Sequence, residues 1–327
     1  MTTISMLING QQKQASNGKT FERKSPLDGK VATTAPAATI EDAIEAIESA
    51  AKAFPEWAAK GPTERRALLL KAALDAKTED FIKAMAGETG SAAMWAGFNA
   101  HLAANMLREA ASLTTQINGD LIPSDVPGSL AMGVRQPAGV VLGMAPWNAP
   151  IILGTRAVAV PLACGNTVVM KGSEVCPATH SLIIESLQEA GLPDGVVNFI
   201  TNDPADAGPL VEAMIAHPAV KRVNFTGSTR VGRIIASVCA KHLKPSILEL
   251  GGKAPLVVLD DANIEEAVNG TAFGAFANSG QICMSTERII VDNKIADTFI
   301  PALTEKARNL PLGDPREGPV VLGSVVD

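Results

Sequence analysis

The chain has 327 residues, 46% of them hydrophobic and 19% charged, with a formal net charge of -6. That length favours two domains, each able to bury a core, and an acidic balance without a long basic run gives no reason to expect a nucleic-acid partner. The start, MTTISMLINGQQ, lacks the basic and apolar regions of a secretory signal.

Residues 7 to 38 alternate short apolar pieces with the turn signals Asn9-Gly10, Asn17-Gly18 and Asp28-Gly29, which predicts an extended arm with short hairpins. Thr39 before Ile40-Glu41-Asp42 is close to a capping box and predicts an amphipathic helix through Trp57. A second helix is predicted after Gly61-Pro62, capped by Thr63 and carrying Leu68, Leu69, Leu70, Leu74 and Phe81, and a third from about 91 to 116. From 118 to 136, Asn118-Gly119-Asp120, Pro123 and Pro127-Gly128 punctuate short apolar pieces and predict a protruding hairpin.

The rhythm then changes. Runs at 140–142, 167–170, 196–200, 220–225 and 247–250 are short, mostly apolar and β-branched, with helix-length segments between them. Strand alternating with helix predicts an α/β fold with a doubly wound parallel sheet, which binds ligands at the carboxyl ends of its strands. Runs at 255–259 and 288–291, with helical segments near 263–277 and 294–308, predict the start of a second α/β unit. The stretch 137–155 is free of charge and nearly long enough to span a bilayer, but Pro146, Asn148 and Pro150 interrupt it, so it reads as buried strand, loop and helix, and no membrane is expected.

Four cysteines, Cys164, Cys176, Cys239 and Cys283, form no CxxC pair, so neither a zinc site nor a disulfide framework is expected and a reducing cytoplasm fits best. His101, His180, His217 and His242 stand singly, and no metal is expected. Cys283 differs from the other thiols. It follows Asn278-Ser279-Gly280 in a turn among small polar residues. A free cysteine is ordinarily a buried small hydrophobe, whereas a turn can expose a reactive one.

Several strand ends carry polar or glycine punctuation. Asn148 in PWNAP, Lys171 and Glu174 in KGSE, Gly227 and Ser228 in FTGST, Glu249 in LELGGK and Cys283 in GQICMS follow one another in an order and spacing that resembles the NAD(P)-dependent aldehyde dehydrogenase superfamily. The resemblance runs from about residue 7 to the last residue. The wording of 144–180 is similar to the branch that oxidises aromatic aldehydes such as salicylaldehyde, vanillin and benzaldehyde, salicylaldehyde above all.

The resemblance implies a Rossmann-like NAD-binding domain over 1–117 and 138–249, an oligomerisation hairpin over 118–137, and part of a catalytic domain over 250–327. It implies that the full-length protein is a homo-oligomer, dimer or tetramer, acting on a small aldehyde. Cys283 would be the nucleophile, since a thiolate is the strongest protein nucleophile near neutral pH. Asn148 and the Cys283 amide would form the oxyanion hole, and Glu249 would be the general base that delivers water to a thioester. Lys171 and Glu174 would hold the adenosine ribose, where a carboxylate favours NAD over NADP. Gly227 and Ser228 open a helix that would meet the pyrophosphate. Gly227 and Gly232 have P-loop spacing, but Arg233 and Ile234 follow, which argues against an NTPase. Trp147 would pack near the cofactor or in the core. Trp95, Ala149 and Arg156 would line the substrate pocket, Arg156 being either a ligand for a ring substituent or half of an internal ion pair.

Members of that superfamily continue past the last residue here, with a further glutamate in an EIFGP-type motif and a terminal strand shared between subunits. The chain is therefore expected to be a fragment with little or no turnover alone, and the full-length protein an active dehydrogenase. Rival readings are a dehydrogenase that passes its thioester to coenzyme A, against which Glu249 argues, and a cysteine hydrolase or acyltransferase without nicotinamide, which would need an imidazole beside Cys283.

Overall fold

A computed structural model describes residues 1–72 and 74–327. The N-terminal arm holds strands β1 (Thr2–Thr3), β2 (Met6–Ile8), β3 (Gln11–Lys13), β4 (Thr20–Lys24) and β5 (Val31–Pro36). Helix α1 (Ile40–Ala59) begins on the expected capping box: the Thr39 hydroxyl accepts from the Asp42 amide, and the Asp42 carboxylate accepts from the Thr39 amide.

The expected second helix is divided. It becomes α2 (Pro62–Lys71), a 3-10 turn over Leu74–Lys77 and α3 (Thr78–Thr89), with residue 73 outside the described residues. Gly61, not Thr63, is the N-cap, and Pro62 occupies the first helical position, where its missing N–H is no loss. The division has a packing cause. Leu69 and Leu74 are both fully buried, yet five positions along one helix lie about 140° apart at 3.6 residues per turn. Breaking the helix lets both enter one core.

Helix α4 (Ala93–Leu113) precedes the hairpin β6 (Asp120–Ile122) and β7 (Ala131–Gly133). The α/β rhythm follows as β8 (Val140–Met144), α5 (Pro150–Ala163), β9 (Thr167–Lys171), α6 (Pro177–Glu189), β10 (Val197–Ile200), α7 (Ala207–Ala216), β11 (Val220–Thr226), α8 (Thr229–Lys241) and β12 (Ser246–Glu249). The main sheet has the order β12-β11-β8-β9-β10-β2-β3. Its strands from β12 to β10 pair in parallel, while β2 pairs antiparallel with β10 and β3 antiparallel with β2. The doubly wound sheet is thus extended by the arm, which the sequence marks only as local hairpins.

Both faces of the sheet are covered. Val141, Val168 and Met170 join a core with residues of α4, α5 and α6. Val140, Leu142 and Val169 point the other way, into a core with residues of α1 and α7. This is why the central strands read as unbroken apolar runs rather than alternating ones. From β8 the chain winds through α5 and α6 to β9 and β10, then returns through α7 to lay β11 on the opposite side of β8. The winding reverses between β8 and β11, and the crevice outside the carboxyl ends of two such strands is the place where sheets of this kind take ligands.

The remaining elements are β13 (Ala254–Val258), α9 (Ile264–Phe276), β14 (Thr286–Val291) and α10 (Asn293–Arg308). Strands β13 and β14 pair in parallel around a small core of Val258, Val268 and Phe299. Val257, Leu259, Phe273 and Ile290 remain exposed beside it. Among the described residues no helix is long and apolar enough to cross a membrane, and no group of acidic, histidine and cysteine side chains could hold a metal ion.

Candidate active site

Residues 145–149 leave β8 at the crevice. Asn148 and Trp147 are half-buried, and Ala149 is the buried N-cap of α5. The Ala149 amide donates to Asn148 Oδ1 at 3.0 Å. That bond fixes the side-chain amide, whose Nδ2 has no hydrogen-bond partner among the described residues and so remains available as a donor. The Asn148 backbone carbonyl accepts two side-chain donors, Trp95 Nε1 at 3.0 Å and Asn278 Nδ2 at 3.0 Å.

Asn278 belongs to the loop that leads to Cys283. Asn278, Ser279 and Gly280 are successively left-handed, with φ of 49°, 57° and 74°. Asn tolerates this conformation and Gly prefers it. The run reverses the chain after α9, and Ile282 then packs against the larger core. The Ser285 amide donates to the Ile282 carbonyl at 3.0 Å, a turn that leaves Cys283 at its exposed tip.

On the other side of the crevice, Glu249 pairs with Thr226 where β12 and β11 end. The Gly227 amide donates to the Glu249 carbonyl at 3.0 Å, and the Glu249 side chain is exposed. Ser228 caps α8, its hydroxyl accepting from the Val231 amide. At the end of β9, Lys171 and Glu174 form an ion pair, and Asn202 Nδ2 donates to Glu174 Oε1 at 3.0 Å. Burial alone would raise the Glu174 carboxyl, but the charge of Lys171, its hydrogen bond and the Asn202 amide outweigh it and hold the group below its ordinary value.

The pocket residues named from sequence fall into two groups. Trp95 is buried, stacks on Phe98 with ring centroids 5.5 Å apart, and uses its N–H to hold the Asn148 carbonyl. Arg156 is half-buried on α5 and makes no ion pair or hydrogen bond among the described residues. No imidazole bonds to Cys283 among the described residues. His180 instead lies 3.8 Å from the Cys176 sulfur, with both groups fully buried. Burial pushes the Cys176 thiol well above its ordinary value, so that pair is no nucleophile.

Sequence reasoning missed the roles of Asn278 and Ser91. Asn278 does carry a signal, since Asn-Ser-Gly before the thiol marks a tight turn, but its partners stand far away in the chain.

The sequence matches the aldehyde dehydrogenase family over residues 13–327. The chain belongs to that family. A vanillin dehydrogenase of Pseudomonas fluorescens is 62% identical, over 100% of this chain and 68% of its own length. The crystal structure of a salicylaldehyde dehydrogenase from Pseudomonas putida G7, complexed with salicylaldehyde, has a TM-score of 0.98 at 51% identity and covers 100% of this chain and 68% of that one. That of an NAD-dependent benzaldehyde dehydrogenase from Corynebacterium glutamicum has a TM-score of 0.93 at 36% identity, covering 99% and 71%.

This aldehyde dehydrogenase therefore works with a nicotinamide cofactor, and the crevice suits one. A carboxylate beside an ammonium at the end of β9 matches the hydroxyls of a ribose. The first amides of α8, at Thr229 and Arg230, have no partner within the helix, and the helix dipole behind them favours an anion there.

Proposed function

We propose that this aldehyde dehydrogenase oxidises an aromatic aldehyde to its carboxylic acid with NAD, through a thioester on Cys283. The observation that supports this most directly is Asn148: its amide is held with Nδ2 free, on a loop hydrogen-bonded to the loop that exposes Cys283.

An aldehyde does not release hydride from its planar carbonyl, so Cys283 Sγ first adds to the carbon and makes a tetrahedral alkoxide. Asn148 Nδ2 and the Cys283 amide donate to the oxygen as its charge develops, a role in which one donor is worth about 10²–10³ in rate. When bound, the nicotinamide supplies the hydride acceptor. Collapse of the alkoxide leaves a thioester on Sγ, and Glu249 takes a proton from the water that hydrolyses it. Lys171 and Glu174 receive the adenosine ribose, and the Glu174 carboxylate repels a 2′-phosphate, so NAD is preferred. Trp147 packs beside the cofactor, and Gly227 and Ser228 bring the α8 amides to the pyrophosphate.

The relatives' names are of benzaldehydes, most of them hydroxylated, which suits an Arg156 guanidinium without a protein partner. It orients a ring hydroxyl, with Trp95 and Ala149 walling the pocket. We assign 1–117 and 138–249 to cofactor binding, 250–327 to catalysis and 118–137 to contact between copies. Free thiols at all four cysteines suit the cytoplasm.

The test is absorbance of reduced nicotinamide with a panel of aliphatic and aromatic aldehydes, using the complete reading frame. Hydroxybenzaldehydes with NAD are expected to give the highest kcat/KM, and Cys283→Ala to abolish turnover. Equal efficiencies with NAD and NADP would remove the role of Glu174. Equal losses on hydroxylated and plain benzaldehydes in Arg156→Ala would remove that of Arg156.

A further inference from the structure

The geometry points to Asn278 as the positioning residue that sets the distance between the nucleophile and the oxyanion donor. This rests on Cys283 and Asn148 acting as proposed above. Asn278 is buried, five residues before Cys283, and its side chain joins two other parts of the chain. Nδ2 donates to the Asn148 carbonyl at 3.0 Å, and Oδ1 accepts from Ser91 Oγ at 3.0 Å. Ser91 Oγ in turn accepts from the Thr89 hydroxyl at 2.9 Å, so the anchor reaches the end of α3.

The backbone of Asn278 is equally committed. Its carbonyl accepts from the Gln281 amide at 3.1 Å and from Gln281 Nε2 at 3.2 Å. Gln281 Oε1 accepts from the Val326 amide, and Ser279 Oγ donates to the Gly323 carbonyl. Asn278 tolerates the left-handed conformation, whereas Ser279 is strained in it. Such strain persists only where surrounding bonds over-determine it, and it collects at functional sites.

Consequently the loop carrying the thiol and the loop carrying Asn148 are not positioned independently. One amide fixes both, from a buried residue whose side chain is committed to Asn148 and Ser91. A misplacement of about 1 Å between reacting groups can cost about a hundredfold, so a side chain at this joint governs rate while leaving cofactor affinity alone.

Asn278→Asp keeps the left-handed preference and the acceptor for Ser91 but removes the donor, and Asn278→Gly keeps the backbone and removes both bonds. Each is expected to lower kcat by about ten- to a hundredfold, with KM for NAD unchanged and with alkylation of Cys283 by iodoacetamide at the wild-type rate. In an Asn148→Ala background, Asn278→Asp is expected to add no further loss, because both changes disable the same donor. Wild-type kcat in both single variants, losses that multiply in the double variant, or alkylation that slows in step with kcat would each overturn the inference. Cys283→Ala in the same assay separates the two readings: its retained turnover would sink the nucleophile assignment itself, whereas a dead Cys283→Ala beside an unaffected Asn278→Asp would sink only the present inference.

Discussion

His180 shows how one side chain supports the crevice without entering it. It is fully buried on α6, and its Nδ1 accepts from the Ser173 amide at 3.1 Å, inside the loop that carries Lys171 and Glu174. Burial, reinforced by the charge of Lys171, lowers its pKa from 6.5 to about 3, so the ring stays neutral as that acceptor role requires. The sign of the linkage follows. Between about 6.5 and about 3 the unfolded chain binds a proton that the folded chain does not, so this group's contribution is intact above the window and is lost as pH falls through it. The slope is at most about 1.4 kcal/mol per pH unit. Denaturant unfolding of wild type and His180→Gln from pH 7 to pH 4 is expected to show the gap between them narrowing as pH falls. A gap that stays constant would mean the imidazole is not held neutral.

At the scale of elements, α6 begins on a carboxylate from another helix. Glu88, at the end of α3, accepts from the Thr33 hydroxyl and the Ala178 amide on one oxygen, both at 2.8 Å. Its other oxygen accepts from the Thr179 amide at 3.0 Å and the Thr179 hydroxyl at 2.7 Å. Burial pushes this carboxyl up, and the amides and hydroxyls pull against it. Glu88→Gln sets an NH₂ against a backbone N–H and is expected to cost about 2–4 kcal/mol in urea unfolding. An unchanged midpoint would show that α6 does not depend on this cap.

The same elements show what sequence could and could not convey. Thr39 and Asp42 lie three residues apart, and their capping box was legible. The division between α2 and α3 was not, because no Gly or Pro marks it and the burial of both Leu69 and Leu74 decides it. Turn chemistry marked the exposed setting of Cys283, and strand-end punctuation marked the segments that hold Asn148 and Glu249 where β8 and β12 end. The bonds joining Asn278 to Ser91 and Asn148 span 187 and 130 residues, a separation that no local pattern encodes.

At the scale of the whole molecule, the hairpin of β6 and β7 is the feature least explained by the chain alone. Two three-residue strands do not hold themselves in water. Yet Leu121 and Met132, directly opposite each other, are 72% and 62% exposed, and Val126, Leu130 and Val134 are exposed around them. An apolar surface of this kind on a protruding element needs a partner, and a second copy is the one the assignment above supplies. Replacing Leu121 and Met132 by Lys changes only exposed side chains, so the fold should stay intact while the patch gains two positive charges on one face. Sedimentation velocity is expected to resolve a homo-oligomer for the wild-type chain and smaller species for the double variant, with the far-ultraviolet circular dichroism unchanged. If the variant sediments with the wild type, the copies meet elsewhere. If the wild type is itself monomeric, the hairpin does not join copies of this chain.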